Sequence, residues 1–133
     1  MEYWVGSLVA LSVAGLAAIV GLDRERAFYP TVLIVIASYY PLFGVMGGSR
    51  QILGIEITFG AGFLLLAIVG FKKNLWLVAA AMVGHGVFDC VHHFLIANSG
   101  VPRWWPGFCL AFDVVAGGWV ALLLITRRRP ATR

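Results

Sequence analysis

The chain has 133 residues, 61% of them hydrophobic and 12% charged, with a mean hydropathy of +0.91 and a formal net charge of +4. Soluble domains carry about 25% charged residues, and so short a chain cannot hide this much apolar side chain from water. A soluble domain is excluded, and so is a nucleic-acid partner, because the basic residues fall between and after the apolar runs, where topology signals lie.

A single domain over residues 1–133 is expected, an all-α integral membrane bundle of five transmembrane helices. Each apolar run approaches the roughly 20 residues needed to cross about 30 Å of hydrocarbon. The first covers 4–22 and ends at Asp23-Arg24-Glu25-Arg26. Nothing positive precedes it and no small-residue cleavage pattern follows, so it reads as a retained helix. The second covers 28–47, with Pro41 a predicted kink. The third covers 52–71 and stops at Lys72-Lys73-Asn74. The fourth covers 75–97, followed by Asn98-Ser99-Gly100-Val101-Pro102; the fifth covers 106–126, before Arg127-Arg128-Arg129-Pro130. Cys90 and Cys109 both lie in apolar runs, which indicates no disulfide framework.

With the N-terminus outside, eight of the ten Lys and Arg residues fall inside, leaving Arg50 and Arg103 outside. The positive-inside rule therefore predicts N-terminus out and C-terminus in. In a bacterial inner membrane the outer side is the periplasm. At 1.5 Å per residue, His85 lies near the midplane, and Glu56, Asp89, His92, His93 and Asp113 lie in the outer half. The inner half holds no ionisable residue, which argues against proton or ion conduction.

All three histidines fall in Gly84-His85-Gly86-Val87-Phe88-Asp89-Cys90-Val91-His92-His93. On a helix His85, Asp89 and His92 follow i, i+4, i+7, with His93 one step further round, all within an arc of about 100°. A charged Asp near a helix centre costs on the order of 2.5–3.5 kcal/mol. Asp89, Asp113 and Glu56 therefore need partners, protons or a bound ion; the histidines, Arg50, Arg103, Tyr39 and Tyr40 are the available partners. Glycines at 60, 62, 84, 86, 117 and 118 let helices three, four and five approach closely around this face.

Three functions compete. His85, Asp89, His92, His93 and Asp113 are candidate ligands for one divalent metal ion, since imidazole with carboxylate suits zinc, iron or manganese. Cys109, one turn before Asp113, could face that site, whereas Cys90 points away. A metal-free alternative uses Asp89 or Glu56 as acid and a histidine as base in hydrolysis or isomerisation of a lipid or isoprenoid. The third is structural: a His/carboxylate network tying helices together, in a homo-oligomer or an accessory subunit of a larger membrane complex. Arg103, Trp104 and Trp105, with Tyr39, form either an interfacial aromatic belt contacting membrane lipids or a lid that binds an anionic head group. Arg127, Arg128 and Arg129 are read as a topology anchor on anionic lipids.

From His85 onward the chain resembles an uncharacterised family of small bacterial integral membrane proteins. Its signature is His-x3-Asp-x2-His-His on a late helix, a Pro-containing loop, and a helix with a further Asp. Those positions read His85, Asp89, His92, His93 and Asp113, and Gly47-Gly48 with Glu56 is similar to a second stretch. Members often carry Trp before the aspartate and the glutamate, where this chain has Phe88 and Ile55. The resemblance marks which residues matter and implies no chemistry.

Overall fold

The computed structural model describes residues 1–128, so Arg129 and Arg133 lie outside the described residues, as do the side chains of Arg127 and Arg128, and with them most of the expected topology anchor. Among the described residues the secondary structure is all helical: α1 Glu2–Val20, α2 Phe28–Met46, α3 Arg50–Lys72, α4 Leu75–Leu95 and α5 Trp105–Arg128, with a 3-10 turn at Leu22–Arg24. Among the described residues, five helices are long and apolar enough to cross a membrane. Their bounds fall within about two residues of the apolar runs, because charged and glycine residues end both the runs and the helices.

Local chemistry sets the ends. Gly21 and Gly48 adopt left-handed φ values of 84° and 72°, which side chains with a Cβ rarely accept. Ser49 Oγ accepts the Ile52 amide at 3.3 Å and Asn74 Oδ1 accepts the Trp76 amide at 3.0 Å, starting α3 and α4 by satisfying amides with no partner inside the helix. At the C-terminal end of α3, Arg26 Nε donates to the Phe71 carbonyl at 2.6 Å. A cation there also complements the helix dipole.

Pro41 does not interrupt α2, which continues to Met46. Proline cannot donate to the carbonyl four residues back, so Ala37 loses its usual donor. Gly60 of α3 packs at that point, its Cβ position 3.4 Å from the Ala37 oxygen and 3.3 Å from Pro41 Cγ. The seam between α2 and α3 is thus built on a proline and a glycine.

α4 is the centre of the bundle, packing on α5, α3 and α2, while α1 lies against α5. Gly117 of α5 meets Ala79, Met82 and Val83 of α4, and Gly86 of α4 meets Leu110 and Asp113 of α5. Gly62, Gly84 and Gly118 face open space. Of the six glycines expected to bring helices three, four and five together, Gly86 and Gly117 do so, and Gly60 serves α2 instead.

Two layers fill the interior along the bundle axis. Tyr29, Leu33, Val78, Met82 and Val120 form an apolar core. The polar layer lies at the opposite end, beneath the α2–α3 turn and the α4–α5 loop, where Gly47 packs on Asn98 and Gly100. Large apolar side chains such as Leu8, Leu16, Leu65 and Val87 face outward, as a lipid-facing surface requires.

Candidate metal centre

Six polar side chains are buried in the bundle: Glu56, His85, Asp89, His92, Asn98 and Asp113. Helix geometry places three of them. His85, Asp89 and His92 occupy successive turns of α4's buried face, as the i, i+4, i+7 spacing predicts. His93, one residue and about 100° further round, is exposed, its ring tilted against Phe94 with centroids 3.7 Å apart. The expectation that His93 shares the polar face is corrected by that rotation.

Both remaining carboxylates turn toward α4. On α3 only Glu56, Ala67 and Gly70 are fully buried, so the acid marks the helix's inward side. Asp113 of α5 is fully buried opposite Gly86, whose missing side chain leaves it room.

The polar layer divides into two groups joined by Tyr40. In the first, His85 Nδ1 lies 2.7 Å from Asp113 Oδ2 and 3.4 Å from Asp89 Oδ2. With the carboxylates ionised, the imidazole donates. One donor atom from each of His85, Asp89 and Asp113 lies within 4.8 Å of the other two. In the second, Glu56 Oε1 accepts from His92 Nε2 at 2.8 Å and from Asn98 Nδ2 at 2.8 Å. Tyr40 donates its O–H to Asp89 Oδ1 at 2.5 Å and stacks its ring on His92, centroids 4.0 Å apart.

Buried carboxylate oxygens ordinarily have hydrogen-bond partners. Here Asp89 Oδ2, Asp113 Oδ1 and Glu56 Oε2 have none among the described residues. The charges are also unequal: three carboxylates face two imidazoles, leaving one negative charge in excess even with both rings protonated. A bound cation would answer both deficits, and the trio is where donors converge. Metal–oxygen and metal–nitrogen bonds of about 2.0–2.2 Å hold ligands no more than roughly 4.4 Å apart. Shifts of a few tenths of an ångström bring the trio into that range.

The other expected residues lie elsewhere. Arg103 is exposed and Trp104 is 51% exposed. Tyr39 packs edge-on against Trp105, centroids 4.8 Å apart, and Phe43 does the same at 4.9 Å, an aromatic seam between α2 and α5. Cys109 is buried and Cys90 exposed. Two participants were less legible. Tyr40 was one of several partners compatible with the sequence, and Asn98 read only as part of a loop. An amide five residues past His93 was the available signal for it.

No protein-family model, curated protein or solved structure matches the chain.

Proposed function

We propose that the protein is a bacterial inner-membrane protein that binds one divalent metal ion, zinc, iron or manganese, through His85, Asp89 and Asp113 in the periplasmic half of its bundle. The observation that carries this is the trio itself: one imidazole and two carboxylates, fully buried, converging within 4.8 Å with two carboxylate oxygens lacking hydrogen-bond partners. A neutral imidazole, two carboxylates and a dication sum to zero, and a Glu56–His92 ion pair also sums to zero. With all three carboxylates ionised the polar layer is thus neutral with a metal and carries excess negative charge without one, a charge that burial penalises and that only a bound cation or a proton on a carboxylate removes.

Each neighbour then has a task. Tyr40 orients Asp89 from outside the ligand set, an arrangement that tunes ligating carboxylates. Glu56, His92 and Asn98 tie α3 and the α4–α5 loop to α4. Three protein ligands leave a coordination position open, and a divalent ion so held can polarise a substrate oxygen or activate water for chemistry on a lipid-like or small substrate. In such chemistry Asp89 would ligate, and Glu56 with His92 would be the pair that moves a proton.

Cobalt(II) titration of metal-stripped protein tests the ligand set. Visible d–d bands without thiolate charge transfer are expected, at one equivalent, abolished in Asp113→Asn and unchanged in His93→Ala. Identical spectra in all three proteins would refute the assignment.

A further inference from the structure

A cavity of about 430 Å³ opens at the same end of the bundle, between the start of α1, the last turn of α4 and the α4–α5 loop. Its volume is within the roughly 300–1,000 Å³ of small-ligand sites. None of the three metal-trio residues lines it.

The cavity has a buried polar floor and a basic mouth. His92, Ile96 and Asn98 form the floor, at 1%, 4% and 9% exposure. His93 and Arg103 are exposed at the mouth, with Tyr3. The floor is held in place before any ligand arrives. Glu56 fixes His92 and Asn98 from behind, and the Gly100 amide donates to Asn98 Oδ1 at 3.0 Å. A Cβ on Gly100 would collide with the Phe43 carbonyl, so the loop lies directly on α2. The Asn98 amide still has a second proton to donate.

The charges decide what fits. Glu2 is the one acid among the lining residues, and its Oε2 pairs with the Met1 amino group at 3.2 Å. Arg103 makes no ion pair or hydrogen bond among the described residues. An uncommitted guanidinium, a second imidazole beside it and a donor floor suit an anion with several acceptor oxygens. The cavity opens at the bundle end that carries the Trp104–Trp105 pair, the level of lipid head groups.

We infer that this cavity binds the net-anionic, phosphate-bearing head of a membrane amphiphile, with Arg103 and His93 at its mouth and His92 and Asn98 as its floor. The site is independent of the metal: its ligand binds whether or not the trio is loaded. It also revises the expected head-group set, since Trp104, Trp105 and Tyr39 lie outside the lining and Arg103 remains.

Native mass spectrometry of the detergent-purified protein, titrated separately with phosphatidylglycerol, phosphatidylcholine and inorganic phosphate, tests this. One phosphatidylglycerol should bind per chain, and Arg103→Gln should weaken it about tenfold or more, as loss of a charge-assisted contact implies. Arg50→Gln, at the same end but outside the cavity, should leave it unchanged. Saturation with inorganic phosphate alone, sensitive to Arg103→Gln, would keep the site and make its ligand a soluble phosphate. Equal retention of both lipids, equal weakening by the two arginine substitutions, or no binding of any probe would overturn the proposal.

Discussion

Among the described residues, the Tyr40 hydroxyl makes the one side-chain hydrogen bond that joins the metal trio to a residue outside it. It reaches Asp89 from α2 while its ring covers His92, so one side chain touches both groups. Tyr40→Phe keeps the ring and deletes the donor. Thermal unfolding of the metal-free protein should show a loss of about 1–3 kcal/mol, the usual cost of a buried acceptor left without its donor. Metal affinity should fall about 10–100-fold with one ion still bound at saturation, as for other partners of ligating groups. A loss of binding capacity instead would make Tyr40 a ligand. Glu56→Gln tests the second group, since one Glu56 oxygen holds both His92 and Asn98 and an amide replaces the charged acceptor with a weaker neutral one. Loosening of the α4–α5 loop, read as faster amide hydrogen exchange at Ile96 and Asn98, is expected with metal stoichiometry unchanged.

At the scale of the helices, glycine placement decides how closely they approach. Without a hydrophobic force between helices in lipid, association rests on close packing and on polar contacts. A Cβ on Gly86 would stand 3.1 Å from Asp113 Cβ and 3.2 Å from the Leu110 carbonyl, whereas one on Gly84 meets nothing. Gly86→Ala should therefore destabilise the bundle by about 1–3 kcal/mol and weaken metal binding by moving Asp113 from His85. Gly84→Ala should be neutral or stabilising by up to about 1 kcal/mol, the helix-propensity difference. Unfolding in mild detergent measures both, and equal effects would mean that Gly86 is not a contact point. The same scale shows what the sequence made legible. Helix bounds were readable because charged and glycine residues punctuate the apolar runs, and the buried face of α4 because a regular spacing fixes His85, Asp89 and His92 together. The inward turn of Glu56 and Asp113 was not readable, since one carboxylate per helix carries no phase. Nor was α2's part in the site, which depends on how Pro41 and Gly60 seat α2 against α3. His93 shows the limit of an arc drawn on an ideal helix, where a single residue step separates the interior from the surface.

The interior of the molecule is polar toward one end and apolar toward the other. Buried ionisable groups gather beneath the α2–α3 turn and the α4–α5 loop, and Arg24, Arg26, Lys72 and Lys73 cluster at the opposite end. With the positive-inside rule, that distribution supports the proposal that the polar layer faces the outer side of the membrane. A reporter fused to the C-terminus should be active only as a cytoplasmic marker; periplasmic activity would reverse the orientation without altering the site. The central claim is the identity of the three ligands, and elemental analysis of the purified protein and its single-site variants tests it most directly. Close to one zinc, iron or manganese per chain is expected in the parent protein and in His92→Ala and His93→Ala, and almost none in folded His85→Ala. A stable metal-free parent that takes up no metal on titration, or an equal loss in His85→Ala and His92→Ala, would contradict it.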